Sequence, residues 1–109
     1  MGMGMKPFKR GEVYWVNLDP SVDTEIKKTR PALIISPDAM NYFLPRVIIA
    51  PITSKGQPLP CRPELIFQHK PARILLDQLR TVDKLRLLNK MGDIDLSVWH
   101  SVLLEMFAK

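Results

Sequence analysis

The first half of the chain alternates apolar runs with polar breaks, a pattern that predicts β-strands. Residues 12–18 are rich in β-branched and aromatic side chains and predict a mostly buried first strand. The next twelve residues, 19–30, are nearly all polar and indicate a long exposed loop of the kind that often carries function. Residues 31–36 predict a second strand. We expect Arg30 at its entrance, because proline pushes the preceding residue toward extended geometry.

A short helical turn and a third strand are predicted next. The sequence Ser36-Pro37-Asp38 can cap and open a helical turn, with the proline at its first position. Residues 46–52 predict the third strand. Pro51 cannot donate to a ladder, so we expect that end of the strand at an edge or at a bulge.

The second half opens with a predicted β-hairpin. A proline-rich connector at residues 56–63 leads into the short apolar run 64–67. A second apolar run follows at 73–76. The polar residues 68–71 between the two runs are typical of a turn, so the two runs are expected to pair.

The chain is predicted to close with a strand, an ambiguous segment and a helix. Residues 79–82 predict a further strand, whereas 85–92 fit either a short strand or a helical turn. Asp95 is a good N-cap residue. An apolar face then recurs at helical spacing, formed by Leu96, Trp99, Val102, Leu103, Met106 and Phe107. Short strands followed by one helix predict a small antiparallel barrel or curled sheet, with the helix packed against it.

Composition indicates one soluble, basic domain. The 109 residues are 46% hydrophobic and 25% charged, which excludes a disordered tail, a collagen-like chain or a disulfide scaffold. Sixteen Lys and Arg residues against eleven Asp and Glu residues give a net charge of +5. This charge favours encounter with polyanions such as nucleic acid, although many basic proteins bind none.

Cysteine usage and hydropathy predict a cytoplasmic protein. The single cysteine, Cys61, cannot form an intramolecular disulfide and fits a reducing compartment. No run approaches the roughly 20 apolar residues of a membrane span, and the start lacks the apolar run of a signal peptide. The repeated Met-Gly opening looks like a cloning remnant or a misplaced start, so we expect residues 1–8 to be disordered and residues 9–109 to form the domain.

The familiar catalytic motifs are missing from the sequence. It has no clustered ligands for a catalytic metal, no Gly-x-Ser-x-Gly elbow and no Walker loop. His69 and His100 titrate in the right range for acid–base work, but a turn position and a helix-packing position respectively are the more ordinary readings. The absence of these motifs leaves reactions that need only charge stabilisation and proton transfer.

Polar residues gather at the ends of the predicted strands. If the sheet curls, these ends converge, and arginine, lysine and hydroxyl donors together suit a phosphate that gains charge in its transition state. A solvated loop side chain is the competing interpretation for each of them. The set comprises Glu25, Lys28, Arg30, Thr53, Ser54, Lys55, Asp77, Gln78, Arg80 and Thr81.

Four sequence blocks resemble the MazF/PemK toxins of toxin–antitoxin systems. Each block alone is weak, but the four occur in order and at the right spacing between Lys9 and Lys109. They are residues 10–15 (RGEVYW), 28–36 (KTRPALIIS), 51–54 (PITS) and 76–83 (LDQLRTVD).

The resemblance implies an SH3-like barrel that acts as a homodimeric endoribonuclease without a metal or another cofactor. Such a toxin cuts single-stranded mRNA at selected sequences and thereby inhibits translation and growth. The ribose 2′-hydroxyl attacks the adjacent phosphate and leaves 2′,3′-cyclic phosphate and 5′-hydroxyl ends. The resemblance carries over Arg30 and Thr53 as the catalytic pair, which would stabilise the phosphate. Glu25 would assist as an acid or base, or would orient Arg30.

The resemblance also implies an RNA groove and a protein partner. The partner would be a cognate antitoxin whose disordered acidic tail covers the groove. Residues 22–25 (VDTE) depart from the glycine and small residues common in the family, so the alignment of Glu25 is open. The groove residues carried over are Lys28, Ser54, Lys55, Asp77, Gln78, Arg80 and Thr81.

Two other functions remain compatible with the same fold. One is a non-catalytic toxin that binds DNA gyrase, for which the pair Arg30 and Thr53 would have no use. The other is a plain RNA-binding barrel, which would retain salt-dependent affinity but leave its RNA intact.

Overall fold

The computed structural model describes residues 7–18 and 29–108. The predicted loop therefore falls outside the described residues, apart from its last two positions, and so do Glu25 and Lys28. The described elements are β1 (Glu12–Asn17), β2 (Thr29–Ile34), α1 (Asp38–Phe43), β3 (Arg46–Thr53), β4 (Glu64–Phe67), β5 (Lys70–Ile74), β6 (Arg80–Asp83), β7 (Leu87–Asp93) and α2 (Leu96–Phe107). Two short 3-10 turns precede β6 and β7, at Leu76–Gln78 and Lys84–Arg86.

The strands form one curled antiparallel sheet in the order β4-β5-β3-β2-β1-β7. β3 is the long central strand. Its first half pairs with β6, from Arg46 to Ile49, and its end pairs with β5 at Ile52 and Thr53. The β4–β5 turn reaches back to the other end of the sheet, where Gln68 Nε2 donates to the Met91 carbonyl of β7 at 3.1 Å. The predicted mostly β fold with a curled sheet and a C-terminal helix is confirmed.

The two faces of the sheet carry two apolar clusters, as strand alternation requires. On one face Val13, Leu33 and Ala50 lie in a cluster that also contains Trp99 of α2. On the other face Val16 and Ala32 belong to a second cluster. The helix therefore covers one face only, and the curl of the sheet encloses the other.

The last helix begins as the sequence predicts. The Asp95 carboxylate accepts from the Ser97 backbone N–H at 3.0 Å, which satisfies an N–H that has no partner within the helix. Trp99 is fully buried. Val98, Val102, Leu103 and Met106 pack around the same cluster. No helix in the described part of the chain is long and apolar enough to cross a membrane.

The apolar face predicted for the last helix includes one residue at each end that the structure leaves exposed. Leu96 is 43% exposed and Phe107 is 72% exposed, so neither packs fully on the sheet. Both lie at the ends of the helix. The prediction is that Phe107 packs against the barrel or against a second subunit; its exposure in the single chain is against the first alternative, and the second stays a prediction.

Two strands begin two or three residues earlier in the structure than the sequence predicts. β2 starts at Thr29 rather than at residue 31, because β1 continues to pair through Val16 opposite Arg30 and Asn17 opposite Thr29. β5 starts at Lys70, because the hairpin turns within Gln68 and His69 alone, and both have positive φ angles (52° and 69°). A two-residue turn of that handedness matches strand twist and needs no further turn residues.

Pro51 lies in the central strand and not at an edge. Its missing N–H costs no ladder bond, because β3 changes partner from β6 to β5 near this residue. The Pro51 carbonyl still accepts from Leu75 N at 2.8 Å. The predicted edge position is therefore wrong, and the proline is accommodated where the partner of β3 changes between Ile49 and Ile52.

Three smaller predictions are refined by the structure. The segment from residue 85 to 92 contains both alternatives, a 3-10 turn and then β7. Pro37 is the N-cap of α1 and not its first residue, and the Ser36 hydroxyl bonds Asn41 Oδ1 instead of capping the helix. Phe8, which falls in the start expected to be disordered, packs against the Tyr14 ring at 5.0 Å.

Candidate functional site

Arg30 and Thr53 lie at matching positions on adjacent strands. In the β2–β3 register Ala32 stands opposite Pro51. The observed pairs end there, and this register extended by two residues along both strands would set Thr53 across from Arg30. Both side chains line the same two surface cavities. The sheet thus brings together two residues that are 23 positions apart in the sequence.

The Thr53 hydroxyl is held so that it can donate to a ligand. Its Oγ1 accepts a hydrogen bond from the Lys55 backbone N–H at 3.1 Å, in a turn just after β3. Its O–H is not used in this hydrogen bond and can donate to an acceptor outside the turn. Arg30 is exposed. Lys55, two residues after Thr53 in the chain, also lines both cavities.

The first cavity, of about 540 Å³, is basic. Arg30, Lys55, Arg62 and Arg80 all contribute to its lining, and no carboxylate does so among the described residues. The apolar part of its wall continues the second cluster through Leu18. Four cations around one cavity create a positive potential that favours a phosphate backbone.

The second cavity, of about 680 Å³, is more apolar and lies on the opposite face of the same strand ends. Trp15 and Phe67 contribute aromatic rings, and Ile52 and Met91 contribute aliphatic surface. Lys70 adds a positive charge to the lining. Arg30, Thr53 and Lys55 therefore occupy the rim between a basic cavity and an aromatic one.

Asp77 is engaged by another residue of the chain. Arg62 Nε donates to Asp77 Oδ1 and Arg62 Nη2 donates to Oδ2, both at 3.0 Å. The hydrogen bonds from Arg62 lower the pKa of Asp77, and those to Asp77 raise the pKa of Arg62. Asp77 lines neither of the two cavities, whereas Arg62 lines the first.

Arg62 is also close to the predicted catalytic threonine. A Cβ placed on Gly56 would lie 3.6 Å from Arg62 Nη1 and 4.0 Å from Thr53 Cγ2. The two side chains therefore flank the same glycine, whose positive φ of 101° turns the chain after Lys55. Arg62 Nη1 also donates to the Gln57 carbonyl at 3.1 Å, which fixes the guanidinium against the connector.

The structure gathers most of the predicted groove residues but not all of them. Ser54 lines the second cavity, and Gln78 and Arg80 line the first. Thr81 of β6 pairs with Ile48 of β3 and lines neither cavity. Glu25 and Lys28 lie outside the described residues, so their predicted roles remain untested.

Sequence reasoning missed several cavity residues. Trp15 belongs to a strand that the sequence predicts to be mostly buried, and it shares a face of β1 with Val13. Val13 is fully buried whereas Trp15 is 36% exposed, so strand alternation alone does not predict the exposure of Trp15. Arg62, Gln68 and Lys70 carried no local signal, because folding of the connector and the hairpin tip brings them to the site.

The two histidines stay away from both cavities. His69 occupies the hairpin turn, and the His100 ring stands edge-on to Trp99 at 6.0 Å. These positions match the turn and helix-packing interpretations. Within residues 7–18 and 29–108, no three His, Cys, Asp or Glu side chains gather in a way that would hold a metal ion.

Comparison with known proteins adds a sequence family and a set of similar folds. A family described as PemK-like, MazF-like toxin of type II toxin–antitoxin system matches residues 9–106. The chain is 40% identical over 93 residues to Endoribonuclease EndoA of Bacillus subtilis (strain 168), and the match covers 80% of each protein.

Solved structures share the fold at lower identity. MazF (Form-I) from Deinococcus radiodurans is 24% identical with a TM-score of 0.76, covering 94% of this chain and 97% of its own. MazE-MazF (Form-II) from the same organism is 24% identical with a TM-score of 0.77, covering 95% and 100%. An endoribonuclease in complex with its cognate antitoxin from a mycobacterial species is 20% identical with a TM-score of 0.71, covering 88% and 86%.

Proposed function

Because the chain belongs to the PemK-like, MazF-like toxins of type II toxin–antitoxin systems, we propose that it is a metal-independent endoribonuclease that cuts single-stranded mRNA at selected sequences. The observation that carries this proposal is the placement of Arg30 beside Thr53 on the rim between a basic and an aromatic cavity. The relative in Bacillus subtilis is named an endoribonuclease. Cutting of mRNA would inhibit translation and growth.

The proposed reaction is an internal transesterification of the RNA backbone. The ribose 2′-oxygen forms a bond to the adjacent phosphorus while the bond from phosphorus to the 5′-oxygen breaks. The 2′-hydroxyl gives up its proton to a base, and the departing 5′-oxygen takes up a proton. The products are a 2′,3′-cyclic phosphate and a 5′-hydroxyl end.

The described residues act by stabilising charge on the phosphate. The Arg30 guanidinium binds a non-bridging oxygen, and the Thr53 hydroxyl donates to the same group. An arginine remains protonated at all ordinary pH values, which suits this role better than proton transfer. Glu25, which lies outside the described residues, is proposed as the acid–base partner, or as the group that orients Arg30.

The substrate preference follows from the same chemistry. DNA has no 2′-hydroxyl and therefore no nucleophile. In an A-form duplex the 2′-oxygen cannot line up behind the phosphate opposite the leaving oxygen, so an unpaired strand is required. We propose that Lys28, Ser54, Lys55, Gln78 and Arg80 contact this strand, and that Asp77 contributes by holding Arg62.

We further propose that the toxin is a cytoplasmic homodimer neutralised by a cognate antitoxin. Solved structures with this fold include MazE-MazF from Deinococcus radiodurans and a mycobacterial endoribonuclease with its cognate antitoxin. A disordered acidic segment would fit the basic first cavity, because it would replace the RNA phosphates there.

The test is cleavage of a long single-stranded RNA by the purified protein in excess EDTA. Arg30→Ala should lower the rate about 100- to 1000-fold, the loss that follows removal of one transition-state donor. Arg46→Ala is the matched control, since Arg46 is an exposed β3 arginine that lines neither cavity. A DNA copy of the sequence should stay intact.

Two results would contradict the proposed metal-independent endoribonuclease activity. One is RNA that stays whole with folded protein free of antitoxin, which would favour a non-catalytic toxin that binds DNA gyrase or a plain RNA-binding barrel. The other is cleavage that EDTA abolishes, which would indicate a metal-dependent mechanism or a contaminating nuclease.

A further inference from the structure

A row of three side chains crosses the sheet next to the predicted catalytic threonine. Arg73 of β5 is paired with Thr53 at the end of β3 on one side and with Glu64 of β4 on the other. Residues that stand directly opposite each other in antiparallel strands direct their side chains to the same face of the sheet. Arg73 therefore shares a face with Thr53, although it lines neither of the two cavities.

The Arg73 guanidinium connects the β4–β5 hairpin to the turn that follows β3. Its Nη2 lies 3.0 Å from Glu64 Oε2, and this ion pair orients the guanidinium. Its Nη1 donates to the Gly56 carbonyl at 3.4 Å. Gly56 lies beside the Thr53 side chain, since a Cβ placed on it would be 4.0 Å from Thr53 Cγ2. Arg73 thus holds the turn at a residue that is close to the threonine.

The stability of the sheet alone does not account for an arginine at this position. The Arg73 Nε is buried and has no hydrogen-bond partner among the residues that the structure describes. A buried donor without a partner opposes folding. The Glu64 side chain is 62% exposed, and exposed ion pairs stabilise a protein only weakly. The contact with the Gly56 carbonyl gives Arg73 a role that the ion pair does not.

A second guanidinium holds the next carbonyl of the same turn. Arg62 Nη1 donates to the Gln57 carbonyl at 3.1 Å, and Asp77 fixes Arg62 through two hydrogen bonds. Two successive carbonyls are therefore bound by two arginines, each of which is oriented by a carboxylate. Within the turn, the Lys55 backbone N–H donates to Thr53 Oγ1 at 3.1 Å. A displacement of the turn would therefore shift the Thr53 hydroxyl.

We propose that Arg73 is a positioning residue for RNA cleavage, which holds the turn of residues 54–57 and thereby keeps the Thr53 hydroxyl in the geometry that the phosphate requires. The inference rests on the proposed function and adds to it a residue that does not itself contact the RNA. A hydroxyl that is misplaced by about 1 Å stabilises the transition state much less, while the rest of the site still binds the substrate. Loss of Arg73 therefore lowers kcat and leaves KM nearly unchanged.

The experiment compares Arg73→Met with the matched variant Arg46→Met. Methionine retains much of the packing of the arginine stem but removes the charge and the hydrogen bonds. Arg46 is an exposed arginine of β3 that lines neither cavity, so its variant removes the same charge away from the turn. Both kcat and KM are measured in EDTA with a short single-stranded RNA that contains one cut site. Thermal unfolding shows that each variant is folded at the assay temperature.

Arg73→Met should lower kcat about 10- to 100-fold and change KM by less than about twofold, as expected when a catalytic group is misplaced. Arg46→Met should leave kcat unchanged. In a Thr53→Val background, which lacks the hydroxyl, Arg73→Met should have almost no further effect on kcat, because both changes act on the same interaction. Arg73→Lys should retain part of the wild-type kcat, since its ammonium still offers donors to the Gly56 carbonyl.

A second measurement follows the turn itself, independently of catalysis. The Lys55 amide donates to Thr53 Oγ1 within the turn that Arg73 holds. Its hydrogen should exchange with solvent about tenfold faster in Arg73→Met than in the wild type, because the turn opens more often. Arg46→Met should exchange at the wild-type rate. Amide exchange followed by NMR resolves this single residue.

The outcomes separate this inference from the proposed function. If the wild type cuts RNA and Arg73→Met retains its kcat, Arg73 has no positioning role and the endoribonuclease stands. A rise in KM alone would assign Arg73 to RNA contact, and an equal loss of kcat in the Thr53→Val background would separate it from the threonine. Either result overturns the inference, as does unchanged exchange of the Lys55 amide. If the wild type cuts no RNA, the proposed function fails and the positioning role fails with it.

Discussion

A single ion pair changes the interpretation of Asp77. The sequence suggests a groove carboxylate that contacts RNA, but a carboxylate would repel the backbone phosphates. In the structure two hydrogen bonds tie it to Arg62, which lines the basic cavity beside Thr53. We therefore expect Asp77 to act as a positioning residue for Arg62, a cation that the sequence did not single out.

A double-mutant cycle on Asp77→Asn and Arg62→Ala tests this positioning role. Arg62→Ala should weaken RNA binding about five- to tenfold, since an exposed charged hydrogen bond contributes less than the usual 1.5–3 kcal/mol of a charged pair. Asp77→Asn should produce a smaller loss. The double variant should equal Arg62→Ala alone, because Asp77 acts through Arg62.

Additive losses in that cycle would mean that Asp77 contacts the RNA directly. The control is Arg46→Ala, an exposed arginine of β3 that lines neither cavity of the site. This variant should leave RNA affinity unchanged.

At the scale of elements, α2 holds the sheet through one tryptophan. Trp99 is fully buried against β-strand residues, while both ends of the helix extend past them. Its indole Nε1 is buried and has no hydrogen-bond partner among the described residues. Shape and apolar area therefore account for its stabilising effect, and its N–H contributes no hydrogen bond.

Trp99→Ala should lower the free energy of unfolding by about 3–5 kcal/mol, because the helix loses its central contact and leaves a cavity. Urea denaturation followed by circular dichroism measures the change. Leu104→Ala in the same helix is the control. Leu104 is 58% exposed, so its loss should stay within about 0.5 kcal/mol. Equal midpoints for Trp99→Ala and wild type would rule out this role.

At the scale of the whole molecule, the net charge of +5 is unevenly distributed around the site. Three arginines and Lys55 line the first cavity. Lys55 and Lys70 line the second, so Lys55 is shared by the two cavities. A charged face of this kind attracts RNA from a distance, and the attraction falls as salt screens it.

The affinity for non-cleavable RNA should therefore fall linearly on a plot of log affinity against log salt concentration, with a slope of about −0.7 for each phosphate contact. Arg80→Ala should reduce the magnitude of the slope by about one contact. Arg46→Ala should leave the slope unchanged, because Arg46 lines neither cavity. A slope that Arg80→Ala leaves unchanged would argue against a phosphate contact at Arg80.

The sequence by itself determined which segments are strands and where the last helix begins. Strand alternation at residues 12–18 and the cap at Asp95 are local signals, and both are confirmed within a residue. Boundaries failed where a partner strand decided them, as at Thr29 and Lys70, because pairing continues for as long as a neighbour supplies hydrogen bonds.

Only the tertiary structure decided the composition of the site. Arg30 and Thr53 were available from the sequence through their family resemblance, but their position on a rim between two cavities depends on the β2–β3 register. Arg62 and Gln68 reach that rim from the connector and the hairpin tip, over long sequence separations that leave no local pattern. Local propensity is a property of neighbours in the chain, whereas a binding site is a property of neighbours in space.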